Sequence, residues 1–251
     1  MRKWLIYLEF FLLCGYFVIL PLFTPSPDIQ TISLELSPMI VILACLSFYL
    51  YYRYEYSLSE RQNKSFLTIL YNSGKVFTCL GILILINVIL SLISYIPYLK
   101  NGIFSECFTN KITVDLKDFN FFVGISGFIK FFISAFWEET LYRLFFPTAL
   151  LIFSGNFRSR FLEKRDENGI CKNEKFLKIY DAVTRCFVET LCVVVFAYGH
   201  RYLGGIAVLN ALLCGIVLRI FYLKNKSILY GFSAHFLYNI FILLLTIVLK
   251  N

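Results

Sequence analysis

Runs of about 20 apolar residues follow one another along nearly the whole chain, and that is the length an α-helix needs to cross the roughly 30 Å hydrocarbon core of a bilayer. They fall at 4–23, 37–52, 76–96, 119–153, 182–200, 203–222 and 228–249. Of the 251 residues 59% are hydrophobic and only 16% charged, against about 45–50% and about 25% in a soluble domain. Such a chain has too little polar surface to cover a water-facing globule. A soluble domain, a disordered chain and a coiled coil are excluded. The expected fold is all-α, a polytopic transmembrane helical bundle of about seven spans, or eight if 119–153 splits in two.

The first run follows Arg2 and Lys3. It is longer than the roughly 7–15-residue core of a signal peptide and no small-x-small cleavage site follows, so it reads as an uncleaved span ended by Pro25-Ser26-Pro27. The stretch 119–153 is too long for one untilted span. It is either one long tilted helix kinked near Pro147, or an interfacial or re-entrant piece followed by a span. The one long hydrophilic segment, 154–181, mixes both charge signs and reads as a solvated loop. The expected organisation is therefore an N-terminal set of spans, 1–118, and a second bundle, 119–251, that carries the charged loop.

The net charge of +8 needs no polyanionic partner, because Lys and Arg accumulate in the cytoplasmic loops of membrane proteins. With the N-terminus inside, the inner loops hold 17 of these residues and the outer loops 5. A cytoplasmic N-terminus is expected, and no nucleic-acid partner. The eight cysteines show no metal-type spacing and read as small hydrophobes.

An ionisable residue in the bilayer core costs at least about 2.5–3.5 kcal/mol on insertion scales and is a functional-site hypothesis by default. Those that need explaining are Lys130, Glu138, Glu139, Arg143, Glu189, His200 and His235. Glu9 and Arg219 lie near enough to span ends to snorkel, and Glu189 has Arg185 one turn earlier as a partner. Adjacent helical residues point about 100° apart, so Glu138 and Glu139 cannot share one task. Glu139 and Arg143 are spaced i, i+4 and can pair within their helix. That leaves Glu138 to face another helix, where a desolvated carboxylate suits a general base. His200, after Phe196, and His235, four residues before Asn239, are the only histidines in the chain. Each alone has a structural explanation as an interfacial histidine or an interhelical hydrogen bond. Together with Glu138 and Asn239 they form a catalytic constellation.

The three motifs Glu138-Glu139-x-x-x-Arg143, Phe196-x-x-x-His200 and His235-x-x-x-Asn239 resemble those of the CAAX protease and bacteriocin-processing (Abi) family of intramembrane endopeptidases. Gly204, Gly205 and Gly215 between the second and third motifs, and the 227–233 lead-in, look like that family too. The likeness spans 134–240; the gap between Arg143 and Phe196 is widened by the charged loop. The resemblance implies that Glu138, assisted by His200, activates a water for attack on a scissile peptide carbonyl. It also implies that His235 and Asn239 stabilise the oxyanion, and that Glu139 and Arg143 hold this arrangement or contact substrate. A membrane-associated or lipid-tailed peptide or protein is the implied substrate, in contact with membrane lipid, and a bacterial plasma membrane is the expected location. Chemistry stays open between no cofactor and zinc held by Glu138, His200 and His235, although no His-Glu-x-x-His helix occurs. A non-catalytic membrane regulator or immunity-type protein of the same fold is the alternative function. A proton-linked transporter would be expected to show two related halves, which the sequence lacks.

Overall fold

A computed structural model of the chain describes residues 3–23, 31–32, 34–56, 73–94, 113–114, 121–163 and 173–250. Among these the chain forms seven helices. Helix α1 comprises Lys3–Glu9, a π-helical stretch Phe10–Ile19 and Leu20–Phe23, and α2 comprises Pro38–Tyr51 and the π turn Tyr52–Tyr56. Then come α3 (Ser73–Ser94), α4 (Phe121–Leu162), α5 (Glu174–Tyr198), α6 (Gly205–Asn225) and α7 (Ile228–Lys250). Among the described residues the only strands are two-residue pieces, Thr31–Ile32 and Thr113–Val114, paired in parallel. Helices α3 to α7 are long and apolar enough to cross a membrane, while the apolar run Trp4–Ile19 of α1 falls short of 18 residues. This is a multi-pass membrane protein.

The 119–153 stretch does not split. Its described part, 121–153, belongs to one continuous 42-residue helix, α4, with the π-helical turn Thr140–Phe145 inside it. Pro147 cannot donate the backbone hydrogen bond that would close on residue 143, and the orphaned Arg143 carbonyl accepts instead from the Arg219 guanidinium of α6. The helix thus passes a proline because a cation from a neighbouring helix takes the missing donor's place.

The hydrophilic segment is also more helical than expected. Residues 154–162 continue α4, 174–181 open α5, and 164–172 lie outside the described residues. The two helix ends are tied together by Arg158 to Asp181, by Ser154 Oγ and Tyr180 Oη at 2.9 Å, and by Asn173 Nδ2 donating to the Leu162 carbonyl at 2.6 Å.

Helix α4 is the axis of the bundle, and aromatic side chains set its register against three neighbours. Against α7, running antiparallel, Phe128 meets Phe236 at 4.9 Å, Phe132 meets Phe232 at 4.9 Å and Phe136 meets Phe232 at 5.0 Å. Against α1, Tyr7 stacks on Phe153 and Phe17 meets Trp137. Against α2, Phe48 and Tyr51 flank Phe136, and Tyr54 meets Phe145. Each such pair contributes about 0.5–1.5 kcal/mol beyond area burial, which counts in a bilayer where helix association has little hydrophobic driving force. These Phe residues form an internal ladder. Its last rungs lie three residues before Glu139 and three before His235. Register at the ladder is register at those two side chains.

Two residues expected to snorkel are paired inward instead. Glu9 is held by Arg53 and by the hydroxyls of Tyr49 and Tyr54, joining α1 to α2. Arg219 is buried and paired with Glu189 of α5, which displaces the expected Arg185 partner. Within the span, both charges gain more from an opposite charge on the next helix than a long side chain gains by reaching for the interface. The six described cysteines are free thiols.

Between α5 and α6 the chain makes one 3₁₀ turn, Arg201–Leu203, and then turns at Gly204 with φ 101° and ψ 169°. That region is essentially closed to any residue with a Cβ. Gly204→Ala is expected to lower stability by about 1–3 kcal/mol, read as an earlier thermal transition of the detergent-solubilised protein.

Candidate active site

Three helices bring the candidate residues together. Helix α4 supplies Glu138 and Glu139 where its α-helical part, Phe121–Glu139, passes into the π turn. Helix α5 ends at Tyr198, and His200 follows in the turn. Helix α7 supplies His235 two turns from its start and Asn239 one turn further on. The 100° between the two glutamates is used as their adjacency requires. Glu139 is fully buried and faces α7, while Glu138 faces both histidines.

The geometry centres on one carboxylate oxygen. Glu138 Oε2 lies 3.8 Å from His200 Nε2 and 3.8 Å from His235 Nε2, and it is buried without a hydrogen bond from any described residue. Each ring is held from its far side. His200 Nδ1 is 2.9 Å from the Phe196 carbonyl, which can only accept, so Nδ1 carries the proton and Nε2 presents its lone pair to Glu138. His235 Nδ1 is 3.1 Å from Glu139 Oε1, so an ionised Glu139 places a proton there as well.

Glu139 and Arg143 lie 3.7 Å apart within α4, as their spacing predicts, but the contact is not a full fork. Among the described residues no acceptor is hydrogen-bonded to any guanidinium nitrogen of Arg143. Its charge rests on the Phe196 ring, with the guanidinium carbon 3.8 Å from the ring centroid. Phe196 therefore serves twice, by holding the His200 ring through its carbonyl and the Arg143 cation through its side chain. The helix packing leaves no room to spare here. A Cβ on Gly215 would come within 3.1 Å of the Phe196 ring, and one on Gly231 within 3.3 Å of Glu139 Oε2.

In front of His200 and His235 opens a cavity of about 310 Å³. Asn239 lines it beside His235, and its other walls are mostly apolar, with Leu83, Phe131 and Ile206 among them. Lys130 stands elsewhere on α4 and is not among the residues lining this cavity. Two polar groups beneath and beside the site were not read from the sequence as parts of it. Arg219 and Glu189 join α4, α5 and α6 under the π turn. Asn87, Asn210 and Tyr238 form a hydrogen-bonded cluster in the cavity wall. The available signal was the same for both: polar side chains inside apolar spans.

Among the described residues no group of three or more His, Cys, Asp or Glu side chains is disposed to hold a metal ion. Glu138, His200 and His235, the residues that would hold zinc if one is used, meet at the Glu138 oxygen.

Fold and site define a multi-pass membrane protein with a carboxylate and two imidazoles gathered inside the bundle, the imidazoles lining a largely apolar cavity. Residues 120–241 match the family described as type II CAAX prenyl endopeptidase Rce1-like. The matched segment carries all three motifs, in agreement with their resemblance to the CAAX protease and bacteriocin-processing family of endopeptidases. No curated protein and no solved structure matches the chain.

Proposed function

We propose that the protein is an intramembrane endopeptidase that cleaves a lipid-tailed or membrane-associated peptide with a water activated by Glu138. The observation that carries this reading is the unpartnered Glu138 Oε2, 3.8 Å from both Nε2 atoms. Those separations are too long for direct hydrogen bonds and suit a water that touches the carboxylate and His200 at once. Glu138 takes the water's proton as the oxygen attacks the scissile carbonyl, and His200 orients that water through its Nε2 lone pair.

The developing oxyanion falls to α7. His235 can donate from Nε2 only as the imidazolium, because its Nδ1 proton is committed to Glu139. The Glu139 carboxylate is well placed to stabilise that cation. Asn239 adds an amide donor from the same helical face. Glu138 then returns the proton to the leaving amine, so its carboxylate is regenerated at the end of the cycle. In this reading 119–251 is the catalytic bundle, the helices of 1–118 frame it, and the N-terminus is cytoplasmic by the Lys/Arg bias.

The test is cleavage of a quenched-fluorescent peptide ending in a farnesylated C-a-a-X sequence by the purified full chain in nanodiscs. Wild type is expected to cut, at a rate that a zinc chelator leaves within about twofold. A rate abolished by chelator and restored by zinc would overturn the metal-free version and keep the peptidase. No cleavage, with cellular function that survives loss of both Glu138 and His235, would point to the regulator alternative.

A further inference from the structure

On the wall of the cavity one hydroxyl proton has no acceptor among the described residues. Tyr238 Oη accepts from Asn87 Nδ2 of α3 at 3.1 Å and from Asn210 Nδ2 of α6 at 2.8 Å. The Asn210 orientation is supported independently, since its Oδ1 accepts from the Cys214 thiol at 3.6 Å. A phenol has two lone pairs and one proton. Both lone pairs are taken, and among the described residues no acceptor is hydrogen-bonded to the proton. Tyr238 is nevertheless 92% buried (8% exposed), and all three residues line the cavity with His235 and Asn239. A buried donor without an acceptor is destabilising, and three polar side chains from three helices converging in a span are themselves expensive. Packing alone would be better served by Phe at this position.

We propose that Tyr238, oriented by Asn87 and Asn210, is a substrate-binding residue whose hydroxyl donates to a backbone carbonyl of the peptide in the cavity. This rests on the endopeptidase reading and adds a second anchoring point to it. The acceptor can be located roughly. Tyr238 lies three residues along α7 from His235, about 4.5 Å of helix rise, and an extended peptide advances about 3.3–3.6 Å per residue. The bound carbonyl is therefore one or two residues from the scissile one. An amide carbonyl suits the site because Tyr238 has only a donor to offer there. The remaining cavity surface is left to an apolar side chain or lipid tail of the same substrate.

The experiment compares wild type with Tyr238→Phe on the farnesylated C-a-a-X peptide in nanodiscs. It then compares both on analogues in which one amide, one or two residues from the cleaved bond, is replaced by an (E)-alkene that lacks the carbonyl. Tyr238→Phe is expected to raise KM about 3- to 10-fold with kcat within about twofold, the mark of a binding contact equal in ground and transition states. One analogue should raise the wild-type KM by a similar factor and leave that of Tyr238→Phe unchanged, because the two changes remove the same bond. An unchanged KM in Tyr238→Phe, or equal responses of both enzymes to every analogue, would overturn the proposal. Should Tyr238→Phe not fold, a flat wild-type response to both analogues would overturn it equally. Failure of the endopeptidase reading looks different: wild type would then cut no peptide at all.

Discussion

Glu138→Gln is expected to fold, elute as wild type does, and lose peptide cleavage, with kcat lowered at least about 10²- to 10⁴-fold, the range a positioned general base contributes. The substitution keeps the size of the side chain and one oxygen, so neither the α4 register nor the cavity should change. It removes the group that takes a proton from water. His200 stays in place to orient the water, held through Nδ1 by the Phe196 carbonyl. Single-turnover cleavage of the farnesylated peptide, with peptide binding measured separately, checks this. Retained binding with lost cleavage supports the assignment. A Glu138→Gln protein that cuts within about tenfold of wild type would remove Glu138 from the chemistry. Glu139 is the natural control. It touches His235 and neighbours Arg143, so Glu139→Gln should act through oxyanion stabilisation and lower kcat without abolishing it.

The largest effect on stability is expected at Arg219→Met. The guanidinium makes a two-point ion pair with Glu189 and donates to the Arg143 carbonyl that Pro147 leaves open. Removing it strands a carboxylate and a carbonyl inside the bundle. Breaking a buried pair from one side costs about 3–5 kcal/mol, which for a chain of this size is a fall in Tm of about 6–20 °C. Arg219→Met with Glu189→Met should recover most of the loss, since the uncompensated charge is then gone, and should leave only the cost of the bare Arg143 carbonyl. Thermal unfolding of the three variants in one detergent measures the coupling. Additive losses would show that the pair is not an energetic unit.

Much of this molecule was legible in its sequence because a bilayer simplifies the physics. Apolar runs of spanning length announce helices without any need for tertiary information, and charges inside them announce sites because lipid cannot solvate them. For that reason Glu138, His200 and His235 could be picked out before any fold was known. The misreadings have one common cause. Glu9, Arg219 and Glu189 were judged against their own helices, by nearness to a span end or by a residue one turn away. Their partners lie on other helices, at separations of 30 residues or more in sequence. The choice between one kinked helix and two pieces for α4 stayed open for the same reason. Pro147 removes one backbone donor from α4, and the group that replaces it, Arg219, lies on another helix.

The sequence by itself determined that the chain is a helical membrane protein, that its C-terminal half carries three motifs of an endopeptidase family, and which few charges must be explained. Periodicity and the cost of desolvation act locally, so one chain read in order contains them. Only the tertiary structure decided that a single Glu138 oxygen stands between two imidazoles, that Phe196 holds both His200 and Arg143, and that Asn87, Asn210 and Tyr238 meet at the cavity. Those relations depend on the register and rotation of packed helices, set here by an aromatic ladder and cross-helix ion pairs between residues far apart in the chain.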